Sequence, residues 1–128
     1  MGVVLVVEDS RTQRKAISKL LKSNGLKVLV AEDGVEALEK VQKSRPDIVV
    51  LDIILPQMNG YEVCRRLKSD KETHKPAIVM CSTKTEEFDR YWGLKQGADA
   101  YLSKPFFPEE LLNTVKYLLR GTAQNTGS

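Results

Sequence analysis

Six side chains in this sequence could act together on a phosphoryl group: the carboxylates of Glu8, Asp9 and Asp52, the hydroxyls of Ser82 and Thr83, and the ammonium of Lys104. Crowded carboxylates repel one another, and without a partner at least one pKa is driven upward. A divalent cation removes the conflict. An all-oxygen ligand set with room for water suits Mg²⁺, or Mn²⁺, better than zinc, and His74 is the only histidine, so no Cys/His ligand set exists. A lysine across the site offers a point charge to one phosphoryl oxygen, and a serine hydroxyl can donate to another. No Gly-x-x-x-x-Gly-Lys-Ser/Thr loop follows the first apolar run, which disfavours a bound nucleotide. A carboxylate can then accept the phosphoryl group itself. Asp52, alone at the end of its apolar run, is the expected acceptor.

Each of these residues has a duller reading when taken alone. Glu8-Asp9 could be first-turn charges favoured by a helix dipole, Ser82-Thr83 the N-cap of the next helix, Asp52 a loop carboxylate and Lys104 a surface lysine. Their placement relative to the chain's elements decides between the two views. Short β-branched or apolar runs occur at Val3–Val7, Val28–Ala31, Ile48–Leu51, Ala77–Cys81 and Ala100–Leu102, and each reads as a strand. The candidate residues stand at the carboxyl ends of the first, third, fourth and fifth.

Between these runs the apolar residues fall at three- and four-residue spacing. Ser10-Arg11-Thr12-Gln13 fits a capping box, with Ser10 as N-cap and Gln13 reaching back. Ala16, Ile17, Leu20 and Leu21 then form a stripe that Asn24-Gly25 stops. A second helix carries Val35, Leu38 and Val41, and a third carries Tyr61, Val63, Cys64 and Leu67. A fourth carries Phe88, Tyr91, Trp92 and, at its edge, Leu94, with Tyr91 and Trp92 read as packing the helix on the sheet. The last, opened by Pro108, carries Leu111, Leu112, Val115, Leu118 and Leu119. Five strand–helix repeats are too few for an eight-stranded barrel. They predict an α/β, doubly wound, open parallel sheet covered on both faces, with its site outside the carboxyl ends of the strands.

The chain has 128 residues, of which 41% are apolar and 29% charged, which fits one globular domain with a proper core. A net charge of +3 is too mild to argue for direct nucleic-acid binding. No apolar run approaches a membrane span, and the first ends at once in Glu8-Asp9 without a basic flank, so a cytoplasmic location is expected. Cys64 and Cys81 lie in apolar surroundings and read as small buried hydrophobes. Residues 121–128 are small and polar and read as a flexible tail or the stump of a linker, which ends the domain near Arg120.

With the Glu8-Asp9 pair, Asp52 in Val-Val-Leu-Asp-Ile-Ile-Leu-Pro-Gln-Met-Asn-Gly, Ser82 placed 30 residues later and Lys104-Pro105 placed 52 residues later, the sequence resembles the receiver domain of two-component response regulators, the family of the chemotaxis regulator. The likeness runs from Val3 to about Arg120. It implies a flavodoxin-like receiver fold with five parallel strands in the order 2-1-3-4-5 and a cis Lys104–Pro105 peptide. It also implies roles. Asp52 is the phosphoacceptor, and Glu8, Asp9, Asp52 and the backbone carbonyl of Ile54 hold Mg²⁺. Lys104 and Ser82 bind phosphoryl oxygens, and Tyr101 swings inward behind Ser82. The helix 4–strand 5–helix 5 face then changes for a partner. The chain is thus expected to be a phosphoacceptor switch rather than a turnover enzyme.

Two positions that tune dephosphorylation in this family fall on Ile54 and Lys84. An apolar Ile54 cannot orient an attacking water, so a longer-lived aspartyl phosphate than in the fast chemotaxis type is expected. The stretch Asp89–Leu102, with its Trp-Gly and Gln-Gly-Ala, is similar to stand-alone receivers of type IV pilus twitching and phototaxis systems, which implies motility or taxis signalling. The alternative is the receiver of a larger regulator with a DNA-binding or enzymatic output domain. A haloacid-dehalogenase-like phosphatase is disfavoured, because its second Asp would stand where Ile54 does. The expected partners are a sensor histidine kinase or phosphotransfer domain, docking on the helix with Arg11, Arg14 and Lys15, and a downstream protein target. A monomer is expected, with dimerisation on phosphorylation an open possibility of the family.

Overall fold

The chain's three-dimensional structure is a computed structural model that describes residues 2–70, 74–83 and 86–126. Strands and helices alternate among them: β1 (Val3–Val7), α1 (Arg11–Ser23), β2 (Lys27–Ala31), α2 (Gly34–Ser44), β3 (Ile48–Asp52), α3 (Gly60–Ser69), β4 (Ala77–Ser82), α4 (Glu87–Lys95), β5 (Ala100–Ser103) and α5 (Pro108–Thr126). Every pairing is parallel, and the sheet runs β2-β1-β3-β4-β5, the order the resemblance implied. Successive strand side chains point to opposite faces, so each apolar run serves two cores. Val4, Val6, Ile48, Val50, Val79 and Cys81 pack with Ile17, Leu21, Leu111 and Val115 of α1 and α5. Leu5, Val7, Val49, Leu51, Ile78 and Met80 pack with Ala37, Val41, Val63, Cys64 and Leu67 of α2 and α3.

The helices start where their caps are. Ser10, Asp33 and Asn59 accept the backbone N–H of Gln13, Glu36 and Glu62 at 3.3, 2.8 and 3.0 Å. Gly25, at φ +84°, supplies the left-handed turn after α1. At the other end of the sheet Asp47 Oδ2 accepts from Val3 N at 2.9 Å and Asp99 Oδ2 from Ile78 N at 2.7 Å, which ties loops to strand starts. The strand ends carrying chemistry are thereby held in register by both faces of the sheet.

Several sequence expectations need correction. Gln13 does not close a capping box: its side chain turns to Lys104 instead. Val35 is exposed, and α2 buries Ala37 and Val41. The apolar residues of α4 do not pack on the sheet: Phe88, Tyr91, Trp92 and Leu94 are 69, 58, 41 and 51% exposed, and the helix buries Gly93 alone. A Cβ on Gly93 would lie 3.0 Å from Met80 Sδ and from the Tyr101 ring. This helix therefore approaches the sheet through a bare backbone, and its large side chains face away. Neither Ser82 nor Thr83 caps it, since α4 opens after Glu86 without a side-chain cap.

Candidate functional site

Parallel pairing brings the carboxyl ends of the strands to one edge, and the chemistry-bearing residues with them. Val7 of β1 is in register with Leu51 of β3, so Glu8 and Asp52 each stand one residue further on. Asp52 is in register with Cys81 of β4, and Ser82 with Ser103 of β5, so Ser82 and Lys104 each follow by one residue. Carboxylate oxygens of Glu8, Asp9 and Asp52 lie within 4.8 Å of one another. Lys104 Nζ sits against this cluster, 2.5 Å from Glu8 Oε1 and 3.5 Å from Asp52 Oδ2.

The loop after β1 is built to keep Glu8 in place. Glu8 is 2% exposed, Ser10 N donates to its Oε2 at 3.1 Å, and Arg14 Nη1 donates to its backbone oxygen at 2.9 Å. Burial pushes the Glu8 carboxyl above the ordinary range; the Lys104 bond opposes that rise and the Asp52 charge adds to it. For Lys104, burial alone would lower the pKa, but the Glu8 hydrogen bond and the Asp52 and Glu8 charges outweigh it and the net shift is upward. The lysine is thus held as an ammonium. One ammonium beside three carboxylates leaves the cluster in net negative excess, and an all-oxygen set of this kind fits a hard divalent cation such as Mg²⁺.

Asp9, by contrast, is exposed and open to solvent, and Asp52 is half-buried. The backbone behind Asp52 is tightly closed: Gly60 N donates to Ile53 O at 2.8 Å, and a Cβ on Gly60 would lie 2.3 Å from Asp52 O. Gly60 is therefore the residue type this loop requires. Ile54, two residues after Asp52, is 58% exposed. Lys84 lies outside the described residues.

Ser82 is fully buried and shares a side-chain hydrogen bond with Tyr101, itself 8% exposed. The inward position of the aromatic ring is therefore the occupied one. Arg90 of α4 lies over that ring, 5.5 Å from its centroid, and donates to Ser103 Oγ at 2.7 Å. The Lys104–Pro105 peptide is cis. Thr83 is exposed and lines a groove between α1 and the β5–α5 loop, with Ile17, Leu20, Lys104 and Phe106.

For two residues here the sequence pattern suggested a different role. Gln13 reaches Lys104 across 91 residues, and Arg14 holds the Glu8 and Asp9 carbonyls. Both are on α1, where local capping and a docking role explained them well enough. Arg14 and Lys15 border a different depression, beside Val30 of β2, so they do not line the groove that reaches the site.

Residues 4–116 match the response regulator receiver domain family. The chain is 37% identical over 121 residues to Protein PilH of Pseudomonas aeruginosa, covering 94% of this chain and 100% of that one. It is 44% identical to response regulator MprA of Mycobacterium leprae and 42% identical to the alkaline phosphatase synthesis transcriptional regulatory protein PhoP of Bacillus subtilis, covering 93 and 91% of this chain. It spans about half the length of those two, 51 and 48%. Among solved structures, the Francisella response regulator 1452 receiver domain aligns with a TM-score of 0.90 at 30% identity, covering 95% of this chain and 99% of that one. The chemotaxis response regulator CheY4 of Vibrio cholerae aligns with a TM-score of 0.85 at 36% identity, covering 92 and 98%. Sheet order, strand-end chemistry and sequence likeness along nearly the whole chain agree, and the chain belongs to the response regulator receiver domain family.

Proposed function

We propose that this chain is a phosphoacceptor switch in two-component signalling, taking a phosphoryl group from a phosphohistidine donor onto Asp52. The observation that carries this reading is the gathering of Glu8, Asp9 and Asp52 within 4.8 Å, with Lys104 Nζ 3.5 Å from Asp52. An Asp52 oxygen bonds the phosphorus while the phosphorus–nitrogen bond breaks, and the imidazole nitrogen keeps that bond's electron pair. Such a transfer has little bond-making for the protein to assist, so positioning and charge carry it. Glu8, Asp9, Asp52 and the Ile54 carbonyl are the groups that would hold Mg²⁺, whose charge offsets that of the phosphoryl oxygens. Lys104 supplies a fixed cation to one oxygen and the Ser82 hydroxyl a donor to another. The acyl phosphate is then a stored state rather than a turnover intermediate, and the chain is a switch and not an enzyme with a substrate.

The output lies with α4, β5 and α5. Ser82, at the carboxyl end of β4 one residue beyond the register partner of Asp52, already holds Tyr101, and Tyr101 lies under Arg90 and Gly93 of α4. A phosphoryl group adds roughly −1.5 to −2 charges, enough to redirect the Ser82 hydroxyl and bias that chain of contacts. Phe88, Tyr91, Trp92 and Leu94 expose an apolar face there that suits a protein target. The match covers the whole of PilH, which supports a receiver acting without a fused output domain, and the likeness of Asp89–Leu102 to stand-alone receivers of twitching and phototaxis systems supports motility or taxis as its setting. The half-length matches to MprA and PhoP support the second reading, a receiver that precedes an output domain in a longer regulator.

Incubation with a labelled histidine phosphotransfer domain tests the reading. Label is expected to move to the chain in the presence of Mg²⁺, in a form that hydroxylamine removes, and to stay on the donor with Asp52→Asn. Label on Ser82 or Thr83, or equal label on the variant, contradicts it.

A further inference from the structure

Lys104 has an ammonium with three N–H donors, and its surroundings account for two of them. One goes to Glu8 Oε1 at 2.5 Å and one to Gln13 Oε1 at 2.6 Å. Asp52 Oδ2, at 3.5 Å, is an ion-pair neighbour beyond ordinary hydrogen-bond length. The two acceptors are themselves joined. Gln13 N donates to Ser10 Oγ at 3.3 Å, and Ser10 N donates to Glu8 Oε2 at 3.1 Å. A closed ring therefore runs Glu8–Lys104–Gln13–Ser10–Glu8. The backbone from which the Lys104 stem springs is fixed as well, since its N–H donates to Ser82 O at 2.7 Å. A lysine stem is long and flexible, and its head is a compact point charge. This ring removes most of that freedom.

We propose that Gln13 is a positioning residue for phosphoryl transfer: with Glu8 it fixes the Lys104 ammonium so that its third N–H meets a phosphoryl oxygen on Asp52. A donor fixed in advance needs no reorganisation when charge arrives. Gln13 also borders the α1 groove of about 510 Å³ that Leu20, Lys104, Phe106 and Pro108 line. The inference rests on Asp52 being the acceptor.

Gln13→Met keeps the length and bulk of the side chain and removes the oxygen. With acetyl phosphate and Mg²⁺ followed by intact mass, the maximal rate of adduct formation is expected to fall about five-fold, the size of one ordinary hydrogen bond and less than the ten-fold or more of a fully enclosed bond to a charged group, while the concentration of donor at half-maximal rate stays within about two-fold. A loss confined to that half-maximal concentration overturns the proposal, as does a wild-type maximal rate. A second arm needs no phosphoryl transfer. In nitrogen-resolved NMR of the metal-free protein, the Lys104 ammonium is expected as a slowly exchanging signal in wild type and Gln13→Glu, and to be lost to fast exchange in Gln13→Met. A signal unchanged in Gln13→Met overturns the tether. A wild-type chain that forms no adduct overturns the acceptor reading, and the ammonium signal still decides the tether.

Discussion

Glu8 and Lys104 are 96 residues apart in sequence and 2.5 Å apart in space, and most of the site's electrostatics follow from that pairing. Ionic partners this well enclosed stabilise the fold only together, and removing one leaves the other buried and uncompensated. Two neighbouring positions carry separate expectations. Ile54, two residues after Asp52, is exposed and offers no polar atom from its side chain to orient water. Ile54→Asn is expected to shorten the lifetime of the aspartyl phosphate several-fold, read from decay of the phosphorylated mass peak; a wild-type half-life of seconds contradicts the slow-hydrolysis account. Gly60→Ala places a methyl 2.3 Å from Asp52 O. A cost of about 1–3 kcal/mol is expected from the denaturation midpoint, with a lowered phosphorylation rate because the backbone that must shift carries the acceptor. At this scale the sequence was informative wherever a residue type had one good use at a strand end, as for Asp52 and Lys104. Gln13 escaped notice because a local explanation, the third position of a helix, already sufficed.

Among the elements, α4 departs furthest from its sequence pattern. Apolar residues at helical spacing usually mark the buried side, but large side chains can also be exposed for a partner, and spacing does not distinguish the two. The glycine does. Gly93 lets α4 lie against Met80 and Tyr101, and Phe88 stacks on Trp92 outside, ring centroids 6.4 Å apart. Trp92→Ala is therefore expected to change stability by no more than about 0.5 kcal/mol while weakening capture of the target, whereas a loss of 2 kcal/mol or more would mean the ring is packed. Arg90→Ala removes the contact over Tyr101 and the bond to Ser103. A cost of about 0.5–1 kcal/mol is expected, with faster hydrogen exchange in α4 and none in α1. Uniform change across both helices counts against a local clamp. Strands were far more legible than this helix, since β-branched runs bounded by chemistry-bearing residues have few other solutions.

Across the whole molecule, two cores on opposite faces of one sheet hold the strand ends in register, and each core contains one cysteine. Cys64 belongs to the layer of α2 and α3, and Cys81 to the layer of α1 and α5. Burial pushes their thiols up to about 11 and about 12. Because the thiolate is the reactive form, neither should take an alkylating label at neutral pH until the chain opens. Both are expected to label together at the rate of global unfolding; early labelling of Cys81 alone would show that the α1–α5 face opens separately. Among the described residues no helix is long and apolar enough to cross a membrane. The fold as a whole was legible because five strand–helix repeats admit one simple architecture, whereas the order of the strands came only with the family resemblance. The most direct test of the central claim is intact mass after incubation with a small phosphodonor and Mg²⁺. One phosphoryl group is expected on the wild type, absent when the metal is chelated and absent in Asp52→Asn. No adduct on the wild type, or the same adduct on the variant, contradicts it.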